Sequence, residues 1–179
     1  VFTFPESHKI HEGFLLSVWT SWESMLRELF VSDLALTPGG ALRQDIKAAG
    51  FRLKGSPDRL AELIVGHPDE HRFVEWNRVD DVVKRADALL GPNHRFTPLG
   101  QQPAVIEQIV KSRNAIAHRS DQAWAKFTTM ARNQPYSLSP RSMRGITVGR
   151  FLSSNRVGTQ FVIEYFIDEL RNRATRIVP

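Results

Sequence analysis

The sequence predicts an all-α fold, a helical bundle of about five to seven helices. Apolar residues recur at spacings of three and four over most of the chain. The periodic stretches are separated by helix-ending punctuation, such as Thr37-Pro-Gly-Gly40 and Gly91-Pro92-Asn93. Strand patterning is weak, with Gly145-Ile-Thr-Val-Gly149 its best instance. The 179 residues suit one well-packed domain spanning 1–179.

The first helix is expected over about 8–34. Phe14, Leu15, Val18, Trp19, Trp22, Leu26, Leu29 and Phe30 form one wide apolar stripe along it. A short helix over 41–49 stops at Gly50, and Ser56-Pro57-Asp58 opens another that ends near Gly66. A fourth segment, about 70–90, carries Phe73, Trp76, Val79, Val82, Val83, Ala86, Leu89 and Leu90 at helical spacing. Gln102-Pro103 starts a helix over about 103–118, and Ser120 or Asp121 caps the next, over 121–132. The stretch 134–158 is rich in Pro, Ser and Gly and reads as loop with short ordered pieces. The last helix covers about 159–176, with Phe161, Val162, Tyr165, Phe166 and Leu170 facing inward.

Composition excludes several classes. With 41% hydrophobic and 24% charged residues the chain is globular rather than disordered. No apolar run is long enough to span a membrane. The N-terminus, Val1-Phe-Thr-Phe-Pro5, lacks the pattern of a secretory signal, and the missing initiator Met suits a processed or trimmed chain. The absence of cysteine removes disulfides and thiolate metal sites and suits a cytoplasmic protein. The net charge of +5 is unevenly distributed. Residues 111–179 hold 12 Lys/Arg against 4 Asp/Glu, whereas residues 1–110 hold 12 against 15. A basic C-terminal part fits a polyanionic partner, or simply a solvated basic surface.

The segment 105–118 carries the chemistry. On a helical wheel at about 100° per residue, Val105, Ile116, Ile109, Ile106, Ala117 and Val110 span an apolar arc centred near 70°. Arg113 falls at about 80°, in the middle of that arc. Glu107, Gln108 and Lys111 take the opposite side, and Asn114 falls at about 180° and His118 at about 220°, beyond the edge of the arc. An arginine centred on a buried face is costly unless it is paired or faces a polar cleft. The bland readings are a structural salt bridge for Arg113 and a helix-dipole contact for His118.

Ser112-Arg-Asn-Ala-Ile-Ala-His118-Arg resembles the signature of the HEPN superfamily, an Arg four to six residues before a His, with Asn commonly following the Arg. The Ala before the His is similar to the RiboL-PSP subgroup. The resemblance implies an HEPN-like helical bundle that dimerises and acts as a metal-independent endoribonuclease in toxin–antitoxin or phage-defence systems. It assigns Arg113, Asn114 and His118 to the catalytic motif. The long first helix, with Trp22-Glu23 on its inner edge, also looks family-like.

The residue chemistry agrees. Histidine titrates near neutrality and moves protons, and arginine offers phosphate oxygens a planar fork of donors. Cleavage through the ribose 2′-hydroxyl needs both a base and an acid, and one motif His supplies only one such group. A homodimer with a shared cleft supplies two. Asn114 orients or binds phosphate rather than carrying a proton. Glu23 is a candidate to pair with Arg113 and fix its guanidinium. Lys111 and Arg119 are candidates to grip substrate phosphates, and Arg141, Arg144, Arg150 and Arg156 read either as an RNA-binding rim or as a solvated loop.

No cofactor or metal is expected. His8 and His11 lack a third ligand, and Pro68 interrupts the helix that His67 and His71 would need as a zinc-binding pair. The expected partners are RNA, a second copy of the chain, and an antitoxin or an associated partner protein. The rival expectations are a non-catalytic HEPN-like module that binds RNA, a nucleotide or a protein, and a purely structural oligomerisation domain.

Overall fold

The computed structural model describes residues 3–36, 76, 78–101 and 104–178. The chain is all-α, with six α-helices among the described residues: α1 (Phe4–Leu36), α2 (Val79–Leu90), α3 (Ala104–His118), α4 (Asp121–Arg132), α5 (Val148–Ser154) and α6 (Val162–Ile177). A 3-10 turn covers Thr97–Gly100, and a two-residue hairpin pairs Arg156–Val157 with Gln160–Phe161. The expected helices over 41–49 and 56–66, together with Phe73, His67, His71 and Pro103, lie outside the described residues. None of the described helices is long and apolar enough to cross a membrane.

The chain divides into two compact units, one of residues 1–22 and 102–175 and one of residues 23–101 and 176–179. In the first unit α1 begins at Phe4, four residues before the expected start. The reason is a cap around Thr3. The Glu6 carboxylate accepts hydrogen bonds from the Thr3 backbone N–H and hydroxyl, both at 2.7 Å. Leu15, Trp19 and Trp22 are buried along this part of α1, as the stripe requires, but Phe14, about 110° round the helix from their common line, is exposed.

Helices α3 and α4 form a hairpin joined by Arg119 and Ser120. Ser120 is the cap of α4, its hydroxyl accepting the Ala123 N–H at 3.2 Å. Arg119 takes the left-handed conformation, φ 47°, that ends helices and that glycine usually supplies.

Two expectations are refined between α4 and α6. Within the stretch 134–158, read as loop with short ordered pieces and with strand potential at 145–149, residues 148–154 form the helix α5. Its cap is Thr147, whose hydroxyl accepts the Arg150 N–H at 3.0 Å. Gly149 lets α5 approach α1 so closely that an added Cβ would lie 2.8 Å from the His8 Cα. The last helix begins at Val162 rather than 159, because Gly158, φ 60°, turns the chain into the small hairpin. Phe161 therefore lies in a strand, half-buried, as is Tyr165 on α6, while Val162, Phe166 and Leu170 are buried.

In the second unit α2 begins at Val79, and residues 70–75 and 77 of the helix expected over about 70–90 lie outside the described residues. Arg78 is extended, and Asp80 and Asp81 fill the first turn, where acidic side chains favour a helix start. Val79, Val82 and Ala86 are buried. The Phe30 ring packs edge-on against Trp76 at 5.4 Å and tilted against Phe96 at 5.6 Å. Arg95 closes the unit: its Nε lies 2.8 Å from the Asp33 carboxylate and its Nη1 donates to the Ile177 carbonyl.

Candidate functional site

Arg113, Asn114 and His118 share the last turns of α3 and meet there. Arg113 Nη1 donates to Asn114 Oδ1 at 3.0 Å and contacts His118 Nε2 at 3.3 Å. A guanidinium has no acceptor, so this contact is a hydrogen bond only in the tautomer whose ring proton sits on Nδ1. In that tautomer Nε2 presents its lone pair beside the guanidinium. Asn114 Oδ1 takes the same Nη1, so the amide holds the guanidinium on the side of the imidazole.

The structure corrects the expected burial of Arg113. The buried line of α3 runs through Ile106, Ile109, Ser112 and Ala115, and Arg113 is half-buried beside it. Ser112 tolerates full burial because its hydroxyl donates to the Gln108 carbonyl within the helix, at 3.0 Å. Ala115 is small enough to let neighbouring elements approach. The guanidinium therefore sits at the solvent margin, free of the desolvation cost that a core position imposes. His118 is exposed.

The other sequence-derived candidates fall as follows. Lys111 lies on α3 and pairs with Glu107 one turn earlier, at 3.4 Å. Arg119 is exposed at the hairpin elbow. Glu23 belongs to the other unit, half-buried on α1. His11 Nδ1 lies 2.7 Å from the Ser7 carbonyl, one turn back in the same helix. Among the described residues no group of three or more His, Cys, Asp or Glu is arranged to hold a metal ion.

Two open cavities flank the hairpin, and neither is lined by Arg113 or His118. A groove of about 480 Å³ runs between α3 and α4, with Gln108 and Lys111 on one wall and Lys126, Thr129 and Asn133 on the other. A smaller recess of about 310 Å³ lies by Ala115, Ile116 and Arg119 and is bounded by Trp124 and Val148. Lys126 and Gln108 were not singled out from sequence. A signal for Lys126 was present: it follows Arg119 by seven residues, as Lys111 precedes His118 by seven, so a hairpin turning at 118–119 sets the two lysines opposite each other.

No family model, curated protein or solved structure matches the chain.

Proposed function

We propose that the chain is a metal-independent endoribonuclease of the HEPN type, acting as a homodimer with a composite site. The observation that supports this reading is the Arg113–His118 contact of 3.3 Å, with Asn114 on the same guanidinium, at a helix end where His118 is exposed and the half-buried Arg113 reaches it. In the reaction a base takes the ribose 2′-hydroxyl proton and the 2′-oxygen attacks the adjacent phosphorus. The bond to the 5′-oxygen breaks, and an acid returns a proton to that oxygen. The products are a 2′,3′-cyclic phosphate and a 5′-hydroxyl. His118 is the acid–base group, with the symmetry-related His118 serving in the complementary role. Arg113 donates to the phosphate oxygens as negative charge builds on them. A toxin or antiphage role, held in check by an antitoxin or an associated protein in the cytoplasm, fits a nuclease of this kind.

The test is incubation of wild type and His118→Ala with a defined RNA, with and without EDTA. Cleavage by wild type that survives EDTA and disappears in the variant supports the proposal. Equal cleavage by the variant, or strict dependence on added Mg²⁺, overturns it.

The open setting of His118, outside both cavities, favours a second reading: a surface that binds RNA without cutting it. That reading predicts salt-sensitive RNA binding with no product.

A further inference from the structure

The stripe Glu107, Lys111, Asn114, His118 is spaced four, three and four residues apart. At about 100° per residue these side chains fall within about 60° of one another, on one face of α3. Glu107 and Lys111 also line the groove between α3 and α4. The groove wall, Asn114 and His118 are therefore successive stretches of one helix face, and the Arg113 guanidinium reaches that face from the side through its contacts with Asn114 and His118. Lys111 stands about 10 Å from His118 along the helix axis, at 1.5 Å rise per residue.

The groove has the chemistry of a polyanion track. Lys111 reaches it from α3 and Lys126 from α4, one on each wall. Lys126 is exposed and has no ion-pair partner among the described residues, and the pairing of Lys111 with Glu107 is a long, solvent-exposed contact that a phosphate can displace. Between them the walls are lined by neutral hydrogen-bonding groups, Gln108, Thr129 and Asn133. Gln108 is pre-oriented: its Oε1 accepts the hydroxyl of buried Tyr136 at 2.7 Å, which leaves the amide NH₂ as the free donor. Among the described residues Glu107 is the one carboxylate in the groove wall.

We infer that this groove binds the single-stranded RNA flanking the scissile phosphate, with Lys111 and Lys126 on backbone phosphates and Gln108 donating to a base or sugar oxygen. The inference rests on the endoribonuclease reading for its substrate class. Single-stranded RNA is favoured over duplex because two lysines on facing walls close on one backbone, and the amides between them need unstacked, accessible acceptors.

The experiment uses a fluorescein-labelled 2′-O-methyl RNA of about a dozen nucleotides, a length suited to single-strand sites. It lacks the free 2′-hydroxyl and cannot be cut by the proposed route. Binding is followed by anisotropy across a salt series for wild type and for Lys111→Gln/Lys126→Gln, with Lys9→Gln/Lys84→Gln, two exposed lysines away from the groove wall, as a charge-matched control. Each phosphate contact on a single strand contributes roughly 0.7 to the slope of log affinity against log salt. The lysine double variant should therefore lose about 1.4 of slope and the control should lose less, both keeping the wild-type circular dichroism spectrum. Lys111→Arg/Lys126→Arg should restore the slope. An unchanged slope in the lysine variant, an equal loss in the control, or no binding of the probe by wild type overturns the groove. These outcomes are separable from those of the reaction. Wild-type cleavage that needs His118, with an unchanged lysine slope, sinks the groove alone. A lysine-dependent slope in a protein that never cuts RNA sinks the reaction alone.

Discussion

The backbone of Gly149 on α5 packs against the backbone of His8 on α1, close enough that an added Cβ would meet the His8 Cα at 2.8 Å and its carbonyl at still shorter range. The same contact carries a hydrogen bond, the Gly149 N–H donating to the Glu12 carboxylate at 2.9 Å. The atoms in the way are main chain, so no rotamer change makes room. Helix α5 in turn packs against α3, the helix that carries Arg113 and His118.

Gly149→Ala should therefore destabilise the protein by about 3 kcal/mol, the upper end of overpacking costs, because relief requires a backbone shift. Gly13→Ala is the contrast. Gly13 is exposed inside α1 with nothing near its missing Cβ, so alanine should stabilise by about 0.5–1 kcal/mol through helix propensity. Urea midpoints of both variants measure the difference, and a Gly149→Ala protein as stable as wild type would show that α5 does not approach α1 so closely.

His118→Ala should remove RNA cleavage yet leave the melting temperature within about 1–2 °C of wild type, since exposed substitutions cost within about 0.5 kcal/mol in a chain of this size. Arg113→Lys keeps the charge but loses the forked donors, so the turnover rate should fall by about 10²–10³, the usual effect of losing one oriented transition-state donor. Single-turnover cleavage assays beside thermal melts separate the two effects.

The Thr3 cap predicts an acid-sensitive first turn. Hydrogen bonds from the Thr3 backbone N–H and then its hydroxyl hold the Glu6 carboxyl below the ordinary glutamate value. A depressed value in the folded state means that the stabilisation is complete above the ordinary value. It is lost as pH falls through the lower, folded value. The protection factors of the amides in the first turn of α1, measured against their intrinsic exchange rates, should fall over that acidic window in wild type, and should be low and unchanged across it in Glu6→Gln.

Burial, and secondarily the neighbouring Tyr165, pushes the Tyr136 hydroxyl well above the ordinary tyrosine range. Burial also raises Tyr165. A raised folded value means full stability below the ordinary value near 10 and progressive loss as pH climbs above it, because the unfolded chain ionises first. Alkaline titration at 295 nm should show little tyrosinate until the protein unfolds. Tyr136→Phe should flatten the alkaline loss of stability while costing about 1 kcal/mol at neutral pH, through the lost hydrogen bond to Gln108. Free ionisation of both tyrosines in the native protein would contradict this burial.

Local signals along the chain were enough for the all-α class and for the helices that carry the candidate site. Ser120 and Asp121 announce α4, and its bounds agree residue for residue with expectation, because a cap acts on its own first turn and needs no distant partner. The span of α3 places Arg113, Asn114 and His118 within one another's reach for the same reason: helical geometry is set locally. Which face is buried is a different matter. Hydropathy centred the core of α3 on Arg113, whereas packing chose the line through Ser112 and Ala115, where small side chains let neighbouring elements come close. Helix α5 was hidden likewise, since Gly149 weakens a helix locally and is tolerated there only because α1 lies against it. Periodicity and caps are properties of neighbouring residues and can be read from order alone; burial depends on what the rest of the chain brings to each face, and only the folded molecule decides it.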